Sequence, residues 1–233
     1  MGMIRQGPPE FIILHLLEKY AIPNFVETGT FLGNTTYWAS KYFERVFTIE
    51  FSEPIYRQAI EKYGDIDNIT FLYGHTRAIL AEIVPLLDVP SLFWLDAHWS
   101  GGQTYGAQDE CPVLDEIDII DQSNVDSFIL VDDARLFLEP PPRPHHADQW
   151  PDITTIIAKL NQRVNRYIVI SEDVIIAVPG FAKAELIGYF QDLSSQKWQE
   201  TQRRAKKSVL RAQAERVYRS MRSRLRARSE RAE

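Results

Sequence analysis

Residues 25–36, FVETGTFLGNTT, read as a buried strand that runs into a glycine turn and then into a helix. Phe25 and Val26 are strand formers, and Gly29 and Gly33 stand four apart, where a backbone turns tightly and approaches a ligand without a Cβ in the way. Thr35 and Thr36 open the helix, whose first free amides can hold an anionic or polar group. Glu27, at the strand's end, adds a fixed carboxylate to the same crevice. That carboxylate disfavours a pyrophosphate, and the spacing G-x-x-x-G is not the dinucleotide spacing G-x-G-x-x-G. A ligand with a cationic amine suits the turn better.

Outward from this turn the chain alternates. A helix over 35–43 leads to a strand over 45–50 (RVFTIE) that ends in Glu50, placed to accept both hydroxyls of a ribose. A helix over 53–63, a strand over 69–73 and the turn Gly74-His75-Thr76 follow, the turn starting a helix that reaches Leu87. The strand over 91–96 (SLFWLD) is nearly all apolar, as a strand buried on both faces is, and ends at Asp96 with His98 two residues beyond. Residues 100–110 are too polar and glycine-rich to form an element. Pro112 restarts a helix with Val113, Leu114, Ile117 and Ile120 towards the core, and the strand over 127–132 ends in Asp132 and Asp133. Upstream, Pro8 and Pro9 open a short cover helix whose apolar face is Phe11, Ile12, Leu14, Leu16 and Leu17.

Residues 139–151 (EPPPRPHHADQWP) are an irregular candidate lid in which His145 and His146 read as solvated. After a helix over 152–162, the runs 167–170 and 174–178 are separated only by Ser171-Glu172-Asp173. That link is too short for a parallel crossover, so the two runs form an antiparallel hairpin. The pattern predicts an α/β fold: a Rossmann-like, seven-stranded, mostly parallel sheet with a C-terminal antiparallel hairpin, helices on both faces, and a basic C-terminal helix.

The 233 residues, 45% hydrophobic, suffice for one sizeable core. The reading places one domain over 1–190 and a basic amphipathic helical tail over 191–233. From Lys197 onward there are 13 Lys and Arg against 4 Asp and Glu, a net charge of +9 against −15 for residues 1–196. An acidic body argues against nucleic acid as the core's substrate. In the tail, Val209 or Leu210, Ala214, Val217, Met221 and Leu225 recur at helical spacing, a stripe suited to homo-oligomer formation or to docking on an acidic surface. The lone Cys111, the lack of an 18-residue apolar run and a start without signal-peptide layout point to a cytoplasmic protein with no transmembrane segment.

With the ETGTFLG turn, Glu50, the GHT turn and the terminal hairpin in place, residues 8–180 resemble the class I S-adenosylmethionine (SAM)-dependent methyltransferases. The resemblance implies a cofactor lying over the carboxyl ends of the first strands. It assigns Glu27 to the methionine amino group, Gly29 and Gly33 to the methionine and ribose, with Thr28 and Thr35 beside them. Glu50 takes the ribose hydroxyls, and Gly74 and His75 the adenine edge, His75 standing where many members carry an acid. Asp96 closes the cofactor site.

Asp96, His98, Asp132 and Asp133 should converge beyond the strand tips. Three carboxylates packed together repel unless a cation neutralises them, and oxygen ligands suit Mg²⁺ or Ca²⁺. The arrangement looks like that of the magnesium-dependent sugar O-methyltransferases of the macrocin type, which makes Asp96, Asp132 and Asp133 the metal ligands and Mg²⁺ the expected ion. DAHWSGG replaces their usual surroundings, so His98 is a ligand, a base or a turn cap. Trp94, Trp99 and Trp150 either stack on a substrate or anchor core and loops. The leading expectation is a metal-assisted O-methyltransferase, with Asp96 or His98 taking the proton from a hydroxyl of a small-molecule, sugar or glycan acceptor. Its rivals are a metal-independent N- or carboxyl-methyltransferase and a non-catalytic cofactor-binding scaffold.

Overall fold

The computed structural model describes residues 7–99, 106 and 109–229. The chain divides into two compact units, Met1–Lys183 and Ala184–Glu233. The first opens with α1 (Glu10–Lys19) and carries β1 (Asn24–Thr28), α2 (Asn34–Ala39), β2 (Arg45–Glu50), α3 (Glu53–Tyr63) and β3 (Ile69–Tyr73). It continues through α4 (Thr76–Ile83), β4 (Ser91–Leu95), α5 (Val113–Ile120), β5 (Ser127–Val131), α6 (Arg135–Leu138), α7 (Ile153–Leu160), β6 (Arg166–Ser171) and β7 (Val174–Pro179). The seven strands form one sheet in the order β3-β2-β1-β4-β5-β7-β6. All neighbours are parallel except β7, which runs antiparallel to β5 and β6.

The topology follows from composition. Every residue of β1, β4, β5 and β7 is buried, as central strands covered on both faces must be. Edge strand β3 has no fully buried residue. The β6–β7 turn is Glu172-Asp173, both with positive φ (52° and 69°), the conformation that matches a two-residue hairpin to the strands' twist. β1 lies between β2 and β4, so chain order reverses there and a crevice opens at the carboxyl ends of these strands. Asn24 ties the opposite edge: its amide donates to Ser91 Oγ at 3.0 Å, and its carbonyl accepts from Arg45 Nε at 2.8 Å.

Some elements differ from the sequence reading. α4 stops at Ile83 and becomes a 3-10 turn over Val84–Leu86, because Pro85 has no amide to continue the helix. The buried stripe of α1 is Ile12, Ile13 and Leu16, with Phe11 turned to solvent. The short α6 had no periodic signal. Most of the 100–110 stretch lies outside the described residues. The second unit is one helix, α8 (Lys183–Ser229), 47 residues long and beginning ahead of residue 191. Among the described residues no helix is long and apolar enough to cross a membrane.

Candidate functional site

Two cavities lie along the carboxyl edge of the sheet and share walls. The first, about 160 Å³, is lined by Glu50, Phe51, His75, Thr76 and Asp109. The second, about 690 Å³, is lined by Glu10, Glu27, Thr35, Trp38, Asp132, Asp133 and Arg135. Gly29, Phe31, Asp96 and His98 belong to both, so the lobes meet at the tips of β1 and β4.

In the turn after β1, Gly29 has φ +86°, and a Cβ on it would stand 2.5 Å from the carbonyl oxygen of Asp96. The glycine is therefore demanded by the chain leaving β4 as much as by any ligand. Its amide and that of Thr30 both donate to Ile49 O, stitching the turn to β2. Phe31, also at positive φ (46°), aims its amide at Glu50 Oε2, 3.0 Å away. Glu50 Oε1 accepts from the amides of Phe51 and Ser52 at 3.0 and 2.8 Å, so this carboxylate is held rigidly at its strand tip. Glu27 is buried, with Oε2 accepting from Thr36 Oγ1 at 2.5 Å and Thr48 Oγ1 at 2.7 Å. Burial raises its pKa to about 7 against the opposing pull of those two hydroxyls.

Three of the residues expected to hold the cofactor do not line either lobe. Gly33 caps α2 in a left-handed conformation (φ 70°) with its open side against the Tyr63 ring. The open side of Gly74 meets Ile79. Thr28 turns its hydroxyl towards Glu116 in α5. Glu27, Gly29, Thr35, Glu50, His75 and Asp96 do line the cleft.

At the junction, His98 sits between two acids: Nε2 is 2.9 Å from Asp133 Oδ2, and Nδ1 is 3.5 Å from Asp96 Oδ1. Burial would lower the His98 pKa, but the hydrogen bond to Asp133 and the charges of Asp96, Asp133 and Asp132 together raise it. Asp133, at positive φ (56°), also meets Arg135 Nη1 at 2.5 Å through Oδ1; these cationic partners overcome burial and hold its pKa below the usual carboxylate range. Asp132 accepts from the Asp133 amide at 2.8 Å, and burial together with the Asp133 charge pushes its pKa up to about 7. Asp96 keeps 32% of its side chain exposed in the cleft, and desolvation by its surroundings raises its pKa well above the carboxylate range against the pull of His98.

Among the described residues no group of three His, Cys, Asp or Glu is arranged to hold a metal ion. The expected trio of Asp96, Asp132 and Asp133 is turned to other partners: both Asp133 oxygens face His98 and Arg135, and Asp132 accepts a backbone amide. In this arrangement His98 and Arg135 offset the charge of Asp133, while Asp96 and Asp132 keep raised pKa values.

The 139–151 segment is tied down more firmly than expected. Buried Glu110 accepts from Trp150 Nε1 at 2.6 Å and from the His146 amide at 3.1 Å, and lies 3.1 Å from His145 Nδ1. His145 is thus half-buried and paired, while His146 is exposed. Trp150 packs on His98 and Phe137, Trp94 is wholly in the core, and Trp99 stacks edge-on to His145, so all three act as anchors. Sequence reasoning missed Phe31, Arg135 and Glu116, as well as the two threonines that hold Glu27. Only Arg135, two residues past the acid pair, carried a visible signal.

No family model matches the sequence, and no curated protein matches it. Solved structures do. The chain is similar to SAH-bound methyltransferase PaMTH1 of Podospora anserina, with 15% identity over 72% of this chain and 76% of that one and a TM-score of 0.52. It is similar to a proposed caffeoyl-CoA O-methyltransferase of Staphylococcus aureus, with 15% identity over 73% and 82% and a TM-score of 0.51. A proposed methyltransferase of Streptococcus mutans, SMU.1697c in complex with SAH, gives 13% identity over 76% and 100% and a TM-score of 0.50. The fold is that of the class I SAM-dependent methyltransferases.

Proposed function

We propose that the chain is a SAM-dependent O-methyltransferase acting on a hydroxyl of a sugar, glycan or natural-product glycoside. The observation that carries this reading is the pair of strand-tip carboxylates, Glu27 and Glu50, on a cleft whose two lobes meet at Asp96 and His98. Similarity to SAH-bound methyltransferases supports the cofactor. The larger lobe does not favour an anionic acceptor: it is lined by five acids, Glu10, Glu27, Asp96, Asp132 and Asp133, and its guanidinium, Arg135, is already paired with Asp133 and Asp173.

When bound, the cofactor supplies an electrophilic methyl group on a sulfonium. Glu27 faces the crevice as an acceptor for an ammonium group. Glu50, fixed by three amides, presents its remaining lone pairs to the ribose hydroxyls. Asp96 stands at the junction, open to the cleft, and takes the acceptor's proton at a carboxylate oxygen; the desolvation that raises its pKa makes it a stronger base than an ordinary carboxylate. His98, held by Asp133, favours the ionised form of Asp96 and fixes its direction. No step is routed through a divalent ion, because among the described residues no three of these groups are arranged to hold one.

The test is methyl transfer to a panel of sugars, glycans and glycosides beside calorimetry with S-adenosylhomocysteine. Asp96→Asn should lose turnover by roughly 10²-fold or more while keeping cofactor affinity. Activity should persist in excess EDTA; its loss, restored by Mg²⁺, would reinstate a metal at these acids. Tight cofactor binding with no transfer to any acceptor would leave a binding scaffold instead.

A further inference from the structure

Glu116 is buried in α5, 1% exposed, and nothing in the proposed reaction uses it. Its Oε2 accepts from Thr28 Oγ1 at 3.4 Å; its Oε1, and the Thr76 hydroxyl beside the carboxyl, are both buried without a well-formed hydrogen bond among the described residues. An unsatisfied buried carboxyl oxygen is costly, and such groups are usually answered by ordered water. Beside it lies a small pocket of about 10 Å³ whose polar lining is Glu116, His98 and Cys111, the rest of its wall being apolar, with Leu95, Val131 and Phe137 among it. That is close to the smallest space that admits one water. Burial keeps the Cys111 thiol neutral, so it offers a weak donor on the same wall.

The void lies behind the segment that leaves β4. Thr28, which donates to Glu116, also accepts from the Asp96 amide, at 3.2 Å through its hydroxyl and 3.1 Å through its carbonyl. The backbone of Asp96 is therefore hung from Thr28, and Thr28 from Glu116. His98 lines the same pocket.

We propose that Glu116 binds one buried water in this void, and that the hydrated carboxyl is a positioning residue for Asp96 and His98. The inference rests on the reading of these two as the groups that handle the acceptor's proton, but the water and the backbone tie are measurable without any turnover.

Glu116→Gln, Glu116→Leu and, as a variant that breaks the tie with little change in volume, Thr28→Val would be made in the full-length chain. The readouts are water in the void by high-resolution crystallography, hydrogen exchange of the Asp96 amide, affinity for S-adenosylhomocysteine, and kcat and KM for methyl transfer. Glu116→Gln should keep the water and turn over within a few-fold of wild type. Glu116→Leu should exclude the water, and both Leu and Val variants should speed exchange at Asp96. Their kcat should fall on the order of 10²-fold, as misplacing a reacting group by an ångström does, with cofactor affinity and acceptor KM little changed. A dry void in the wild-type crystal, or unchanged Asp96 exchange in both Leu and Val variants, overturns the proposal. If wild type itself transfers no methyl group, the functional reading fails while the water and exchange measurements still decide this one.

Discussion

Glu27 carries the most consequential titration in the cleft. Its pKa of about 7 reflects burial without a cationic partner, since its neighbours are the hydroxyls of Thr36 and Thr48 and the charge of Glu50. An ammonium ligand prefers the ionised carboxylate. Below pH 7 the empty site is protonated, so binding must expel a proton, and affinity should fall by up to about tenfold per pH unit as the pH drops; above it, affinity should level off. Calorimetry with S-adenosylhomocysteine in two buffers of different ionisation enthalpy measures the proton directly. Glu27→Gln should bind more weakly and lose the pH dependence, and a wild-type titration with no proton release across this range would remove Glu27 from the ammonium site. Gly29 shows a different economy at the same scale. Its positive φ and the nearby Asp96 carbonyl both forbid a side chain, so one glycine forms the turn and lets β4 deliver Asp96 to the cleft.

Among the elements, the β6–β7 hairpin does more than close the sheet. Its turn residue Asp173 accepts from the Ala134 amide through its carbonyl and from the Arg135 amide through Oδ1, both at 2.8 Å, and pairs with the Arg135 guanidinium. The turn thereby holds the segment that carries Asp132 and Asp133. Asp173→Ala leaves the Arg135 amide and guanidinium without this partner, a loss of about 1–3 kcal/mol in stability by denaturant titration. Turnover should fall along with it, because Arg135 and Asp133 set the position of His98. Cofactor affinity should be unchanged, since Glu27 and Glu50 lie on strands remote from the hairpin in the sheet order. An equal loss of cofactor affinity would show that the hairpin supports the whole crevice rather than its second lobe.

At the scale of the whole molecule, the cleft residues all belong to the unit Met1–Lys183, whereas the basic run belongs to α8. Truncation after Gln196 should therefore leave affinity for S-adenosylhomocysteine within a few-fold of the full chain. The basic run is the segment we propose for self-association, with its charge of +9 against a body of −15. Attraction of that kind weakens with salt as the screening length shortens. Light scattering at low salt should give a larger mass for the full chain than for the truncated one, with the difference shrinking as salt rises. Equal masses, together with unchanged binding to RNA and to anionic vesicles, would leave the tail without an association role.

Much of the architecture was legible in the residues themselves. The all-apolar runs that became β4 and β5 announce strands covered on both faces, and a three-residue gap between β-branched runs permits only a hairpin, because a parallel crossover cannot be made so short. The carboxylates at the strand ends, Glu27, Glu50, Asp96 and Asp132, were legible for the same reason: parallel strands deliver their carboxyl ends to one edge. What each of those acids meets was decided only by tertiary structure. Nothing in the spacing of Asp96, His98 and Asp133 says that the imidazole stands between the two carboxyls, that Arg135 takes the second acid, or that among the described residues the three acids are not arranged to hold a metal ion. Gly33 and Gly74 share the glycine signature of the turn, yet their open sides face Tyr63, from the end of α3, and Ile79, from the first turn of the helix that follows Gly74. Glu116 was invisible as a site residue, since an acid in an amphipathic helix ordinarily faces solvent; only the packing of α5 beneath the end of β1 buries it and leaves one of its oxygens without a well-formed hydrogen bond among the described residues.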